Sequence, residues 1–250
     1  MPDDPLLLVP PSVGKEPGAA PHRRSDAFAK ALSAERELVL EALADEIARS
    51  SRARLERLFG ATGALADHAI AATGELVAGG APLMPAWCRY TGVVWEHLDP
   101  STLPDVDRSR LLVPSGLYGL NAGTDAIADH RLSMLVSPVG IGRLTRFWDE
   151  PVTRALRRVA RGRVVVDLLP NEHAAAIDHG SLGEVAHVVR VRFLASGGTK
   201  ASGHGAKAVK GRLARWILER GLTEVDAFSW EGWSAASGRE GIVVVAPSGS

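Results

Sequence analysis

The strongest group of residues that could do chemistry is the loop and helix from Lys200 to Arg215. A glycine-rich loop, Thr199 to Gly205, leads into a helical stretch, Ala206 to Arg220, that carries Lys207, Lys210, Arg212 and Arg215. Helical spacing puts Lys207 and Lys210 on one side, with Arg215 about one turn further on, and turns Arg212 away. Glycines at a helix start leave backbone N–H groups free, and the helix N-terminus adds partial positive charge. Loop and helix together read as a phosphate cradle. A second constellation sits where apolar, strand-like runs end: Ser115 and Tyr118 after Leu111 to Val113, and Asn171 and Glu172 after Val164 to Val166. In α/β sheets the crevice outside the carboxyl ends of strands is the usual ligand site. Glu172, in the most basic part of the chain, is the candidate general acid or base if the protein is an enzyme, with Tyr118 or Asn171 orienting a substrate. Asp125, His130 and Arg131 fall on a connecting stretch, where functional polar residues concentrate.

Several familiar chemistries are missing. No pair among the eight histidines has the i, i+4 spacing of a helical zinc site. Ser115 follows Pro114, so it is not the serine of a Gly-x-Ser-x-Gly elbow. Gly197-Gly198-Thr199-Lys200 lacks the spacing of a phosphate-binding P-loop. Gly203-His204-Gly205-Ala206-Lys207-Ala208 mimics a dinucleotide fingerprint, but the preceding strand ends too far upstream for that turn. Gly140-Ile141-Gly142 mimics the turn of a helix-hairpin-helix, and is read as an ordinary turn leading into a helix. No cofactor is expected and no metal site is assigned.

Charge is uneven. Lys and Arg together number 29, as do Asp and Glu, so the chain is formally neutral. Between Pro151 and Arg220, however, 13 basic residues face 5 acidic ones, which gives that segment +8 and the rest −8. A basic face on a neutral protein is the footprint expected for a polyanionic partner. The single cysteine, Cys88, excludes an internal disulfide framework and fits a reducing cytosol. Leu6 to Val9, bracketed by prolines and preceded by Asp3 and Asp4, reads as a buried first strand rather than a targeting segment. No apolar run approaches the roughly 20 residues of a membrane span. The expected location is the cytoplasm, without a membrane partner; protein partners are unassigned.

The elements that must position these residues follow from periodicity. The chain of 250 residues reads as a single domain, 1–250, of mixed α/β (α+β) class: a central mixed sheet, flanking helices and a basic cleft. Its N-terminal third, about 25–98, is helical. Ser25-Asp26 and Ser33 are candidate N-caps, and Val39, Leu43 and Ile47 form an apolar stripe. Trp87 to Leu98 reads as one helix, Asn121 to His130 as irregular, and Leu144 to Val159 as a helix interrupted near Pro151. Strands near Leu6, Leu111, Val164 and Val189 are expected in one sheet. Glu224 to Trp230 and Gly241 to Val245 are expected as two further strands, paired antiparallel.

These stretches, in order, resemble the YaaA family of peroxide stress proteins. The resemblance runs almost end to end: the first strand and the loop to Lys15, then Tyr90-Thr91-Gly92-Val93-Val94-Trp95, Ser115-Gly116-Leu117-Tyr118-Gly119, Asp125 and His130-Arg131-Leu132-Ser133-Met134. It continues through Phe147-Trp148, Asn171-Glu172-His173, Lys207 to Arg215, Phe228 and Glu231-Gly232-Trp233. It implies a compact α/β domain with a positive cleft, in a cytosolic protein that limits peroxide damage by lowering free iron and binding DNA. Carried over by position, Lys15, Ser115, Tyr118, Arg131, Asn171, Glu172, Lys207, Lys210 and Arg215 would line that cleft. The sequence departs from the family pattern at three places. His130 and His173 stand where the family usually has tyrosine, and Lys207-Ala208-Val209-Lys210-Gly211 carries one positive charge fewer than the usual motif. Two histidines there could equip the cleft for acid–base work or metal capture near neutral pH.

Two readings result. In the first, a nucleic-acid-binding stress protein holds DNA through Lys15, Ser115, Arg131, Asn171, Lys207, Lys210 and Arg215. In the second, an enzyme acts on a nucleotide, nucleoside or nucleic-acid base, or another phosphorylated small molecule, with Glu172 and Tyr118 catalytic. A third, an iron-binding protein, would use His130, His173, Asp125 and Glu172.

Overall fold

A computed structural model describes residues 4–20 and 25–247. The proline- and glycine-rich stretch over 12–21 reads as a loop after the first strand, and its last residue lies outside the described residues. In chain order the elements are β1 (Leu6–Leu8), α1 (Ala29–Arg49), α2 (Arg52–Phe59), α3 (Gly63–Val77), β2 (Leu83–Pro85), α4 (Ala86–Arg89), α5 (Val93–Leu98), α6 (Asp105–Arg108), β3 (Leu111–Ser115), β4 (Gly119–Ala122) and β5 (Ala126–Ala128). There follow α7 (Leu144–Ala160), β6 (Val164–Asp167), α8 (Asn171–Ala174), α9 (His179–Gly183), β7 (His187–Leu194), α10 (Gly203–Arg220), β8 (Ser229–Trp230), β9 (Trp233–Gly238) and β10 (Gly241–Val245).

The fold is mixed α/β. Eight strands form one sheet in the order β4-β3-β1-β6-β7-β10-β9-β8. The run β3-β1-β6-β7-β10 is parallel, and antiparallel strands extend it at both edges. The four strands expected near Leu6, Leu111, Val164 and Val189 are all in it. Leu7 lies opposite Leu111 on one side and Val166 on the other, so β1 is central. Alternation then sorts the side chains. Leu6, Leu8, Leu112 and Val165 face a core closed by α1, α2, α3 and α7, where Val39, Leu43 and Trp148 are buried. Leu7, Val9, Leu111, Val113 and Val166 face the opposite core, closed by α5 and α10. Coverage of both faces is why these strands read as continuous apolar runs rather than as alternating ones.

Gly211 sets the second layer. A Cβ there would lie 2.2 Å from the Val94 carbonyl oxygen and 2.8 Å from the Leu98 nitrogen, so only glycine lets α10 settle onto α5.

Four local expectations are corrected. Trp87 to Leu98 is not one helix: it divides into α4 and α5 at Tyr90, whose backbone bridges to Lys15 and so pins the loop after β1. The helix α7 is continuous through Pro151, because a buried face of Leu144, Trp148, Val152 and Leu156 outweighs the local cost of proline, about 3 kcal/mol. The region 121–130 is only partly irregular: β4 ends within it at Ala122, and β5 pairs antiparallel with β2 in a separate two-stranded sheet. Leu222–Ala227 is a 3-10 turn rather than strand, with Val225 buried, and the antiparallel partner of β10 is β9.

Candidate functional site

The carboxyl ends of β1, β3 and β6 open onto a cavity of about 250 Å³, whose walls include Ser12, Lys15, Ser115, His130, Arg131, Glu172 and His173. A larger cavity of about 550 Å³ lies beside it, between β7 and the start of α10, and is lined by Asn171, Arg190, Arg192, Lys200, Lys207 and Lys210. The beginning of α8 is the wall between them. Asn171 lines the larger space, and Glu172 and His173 line the smaller.

In the smaller cavity, the loop after β1 is held by Arg89. This residue is wholly buried in α4 and donates to the carbonyl oxygens of Glu16, Gly18, Pro82 and Ile127. Lys15 Nζ donates to the Ser12 carbonyl oxygen at 2.9 Å and lies 5.6 Å from the Tyr90 ring centre. Among the described residues it has no carboxylate at ion-pair distance. Burial lowers its ammonium to about 8; the Asp129 carboxylate opposes that shift, and Arg131 and Arg89 add to it.

Ser115, the last residue of β3, and His130 are both buried. His130 Nδ1 is 2.9 Å from the Ala128 carbonyl oxygen, which can only accept, so Nδ1 carries the proton. The lone pair of Nε2 then faces Ser115 Oγ at 3.3 Å. Burial first, and the Lys15 charge second, push the His130 imidazole well below its usual range and keep it neutral. Gly116 lets the segment after His130 approach: a Cβ there would sit 2.4 Å from the Leu132 carbonyl oxygen.

Tyr118 does not line the cavity. Its hydroxyl accepts from the Ala128 N–H at 2.8 Å and its ring stands edge-on to His130 at 5.4 Å, so it braces the imidazole from behind. Burial raises its phenol above the ordinary value. Arg131 donates to the carbonyl oxygens of Phe59 and Gly60, closing the end of α2, and also lines the cavity. Glu172 is at the rim, its side chain 54% exposed and its carboxylate 3.9 Å from His173 Nε2. His173 Nδ1 is buried with no hydrogen-bond partner, and burial lowers this imidazole to about 4.

Five cations line the larger cavity, together with Glu240 and an apolar floor that includes Val191, Phe193 and Leu194. Lys200 and Lys207 are exposed and form no ion pair among the described residues. Arg190 Nε is 3.4 Å from Asp167 and Arg192 is 3.4 Å from Glu240. Lys210 leans over the Phe193 ring at 5.2 Å. Burial lowers its ammonium to about 8; Asp167 and Glu172 oppose the shift, and Lys200 and Lys207 add to it. The 18-residue α10 begins at this cavity, and the Ser202 side chain makes no capping hydrogen bond to it.

The structure therefore distributes the sequence candidates over two neighbouring spaces. Lys15, Ser115, Arg131 and Glu172 share one; Asn171, Lys207 and Lys210 share the other. Arg215 lines neither. Its guanidinium donates to the carbonyl oxygens of Leu98 and Asp99 and to Thr102 Oγ1, and pairs with Glu219, tying α10 to the end of α5. Lys200, at the start of the loop read as part of a phosphate cradle, lines the larger cavity, whereas the sequence reading gives no site role to Arg190 and Arg192. The signal for the two arginines was present, since residues two apart on a strand share a face. The iron-ligand set does not assemble. Asp125 accepts from the backbone N–H groups of Ala27 and Ala122 and from Ser25, and no group of three or more His, Cys, Asp or Glu suited to a metal occurs among the described residues. Gly140 and Gly142 adopt left-handed backbone in the turn before α7, and no helix immediately precedes that turn.

The fold and site define a class: an α/β protein whose parallel strands bring two neighbouring cavities to their carboxyl ends, one lined by Ser115 and His130 and the other by Lys207 and Lys210. A family model described as peroxide stress protein YaaA matches residues 6–237. The chain belongs to that family, as the sequence motifs implied. A UPF0246 protein of Streptomyces coelicolor is 35% identical over 223 residues, covering 86% of this chain and 84% of the relative. UPF0246 proteins of a Ruegeria species and of Corynebacterium glutamicum are 36% and 33% identical, covering 56% and 65% of this chain and 60% and 65% of the relatives. A general role in the peroxide stress response follows from the family. No helix among the described residues is long and apolar enough to cross a membrane.

Proposed function

We propose that this protein serves the peroxide stress response in the cytoplasm by binding DNA through the cationic cavity, and so limits iron-dependent oxidative damage to it. The observation that carries this reading is the clustering of Arg190, Arg192, Lys200, Lys207 and Lys210 around one open space with few carboxylates to neutralise them. Burial of Lys210 strengthens the case, because a partly dehydrated ammonium gains more from a phosphate than a solvated one does. Phosphate contacts of this type position a duplex without reading its sequence. The test is the double substitution Lys207→Ala, Lys210→Ala, assayed for DNA affinity against salt. Taking away one phosphate-binding cation lowers the log–log salt slope by about one unit, equally for unrelated sequences. Unchanged affinity in the folded double variant would show the cavity to be idle, and a weakening confined to one sequence would show base readout instead.

The enzymatic reading built on Glu172 gains no support from its placement. An exposed carboxylate at a cavity rim lacks the enclosure that sets a general base against bulk water.

A further inference from the structure

We propose that Ser115 and His130 form a nucleophile–base pair and make the smaller cavity an acyl-transfer site, whose substrate class is the ester of a small anionic molecule. This goes beyond DNA binding and uses different residues.

Three roles are filled in space. Ser115 Oγ is the nucleophile, fixed at the end of a strand whose register places Ser115 opposite Gly119. The Tyr118 N–H donates to Oγ at 3.3 Å, which directs the serine's own proton elsewhere. His130 Nε2, 3.3 Å away, is the base. Its tautomer is set by the Ala128 carbonyl, which takes the place a carboxylate has in a Ser-His-Asp triad. Ala128 is itself held, by the Tyr118 hydroxyl and by its pairing with Leu83. Oγ also neighbours the Tyr90 hydroxyl, which donates to Asn121 Oδ1 at 3.4 Å. A phenol oxygen is far less basic than imidazole, so His130 is the acceptor that matters when the serine proton leaves. A separation of 3.3 Å is at the loose end of hydrogen-bond reach, as catalytic hydrogen bonds are before a substrate draws them together.

The surroundings suit charge that develops during reaction. Lys15 and Arg131 line the same cavity and would stabilise an oxyanion or an anionic substituent. The groups around His130 are cations, Lys15 and Arg89, so an isolated imidazolium is disfavoured. In acyl transfer it forms together with the tetrahedral oxyanion, and no net charge is created. The volume, about 250 Å³, admits a small ester rather than a long acyl chain.

The step balances. The Ser115 oxygen attacks the ester carbonyl carbon, the C=O π pair moves to oxygen, and the serine proton passes to Nε2. Collapse breaks the bond to the leaving alkoxide, which takes that proton and departs as an alcohol. Water then attacks the acyl-serine, gives a proton to Nε2, and releases the carboxylic acid as that proton returns to Oγ. No sequence motif signals this site; a dyad is recognised by geometry and roles, not by spacing along the chain.

The experiment is a reaction of the intact protein with 4-nitrophenyl acetate, quenched in acid and mapped by peptide mass spectrometry. Expected is a burst of about one equivalent of nitrophenolate with acetyl on Ser115. Ser115→Ala abolishes both, and removing the base slows acetylation by about 10²–10⁴-fold. His130→Gln tests the base. His130→Tyr is the second variant, because tyrosine is the residue the family resemblance places there; thermal melts verify that both remain folded. Acetyl on Lys15 or spread over surface lysines, no burst in the folded protein, or equal rates in His130→Tyr would overturn the proposal. The adduct reports on Ser115 whether or not the larger cavity binds DNA.

Discussion

The two cavities share the wall at the start of α8 and handle charge in opposite ways. The larger gathers five cations at an open edge and leaves Lys200 and Lys207 without acidic partners among the described residues. The smaller orients three of its polar groups by the backbone: Ser115 by the Tyr118 N–H, His130 by the Ala128 carbonyl, Lys15 by the Ser12 carbonyl. An open cationic groove suits a long anion held by many weak, screened interactions. A smaller cavity, about 250 Å³ against about 550 Å³, with fixed lone pairs suits one small group held in one geometry. Neighbouring strand ends of one sheet thus supply both kinds of site.

The largest expected effect separates the two by pH. His173 is lowered to about 4 in the folded protein, while an unfolded histidine titrates near 6.5. Between those values the unfolded chain binds more protons, so stability falls as pH drops from about 6.5 to about 4, by about 3 kcal/mol. His130, also depressed, adds to the effect in the same direction. Melting temperature against pH should show a steep acid slope that His173→Gln reduces. An unchanged slope in that variant would mean that His173 titrates normally and that the smaller cavity is open to water.

Gly211→Ala comes next and attacks the other side. The added Cβ overlaps the Val94 carbonyl, and forcing α10 off α5 should cost about 1–3 kcal/mol in denaturant unfolding. Because α10 carries Lys207 and Lys210, DNA affinity should fall with it, whereas acetylation of Ser115 should persist in the folded fraction. A parallel fall in both would show that the two cavities are one mechanical unit. The smallest effect is expected at Arg215. Arg215→Ala removes a clamp between α10 and the end of α5, at a cost of about 1 kcal/mol in stability, and leaves the DNA salt slope unchanged. A slope lower by about one unit would return Arg215 to the binding surface.

Much of this was legible in the sequence where local pattern and tertiary role agree. The core strands announced themselves because burial on both faces leaves only apolar residues. Lys207 and Lys210 line one cavity together because helical spacing fixes their shared side. Arg215 was grouped with them, yet the same spacing cannot say whether a cation faces an open groove or the carbonyls at the end of another helix. The continuity of α7 through Pro151 was hidden because buried packing, not local propensity, decides it. The Ser115–His130 pair was invisible for a different reason. It joins the end of β3 to a segment beyond β5, and the backbone bracing of Ala128 and the close approach at Gly116 bring the two side chains together.

The central claim, that the cationic cavity grips a phosphate backbone, is tested most directly by titrating the unmodified protein with duplex DNA across a series of salt concentrations. If Arg190, Arg192, Lys200, Lys207 and Lys210 all touch phosphates, log affinity should fall against log salt with a slope of about −4.5; competition from Asp167 and Glu240 for the two arginines would bring it toward about −3. A slope near zero, or no binding at about 50 mM salt, where phosphate binding is at its strongest, would contradict the account.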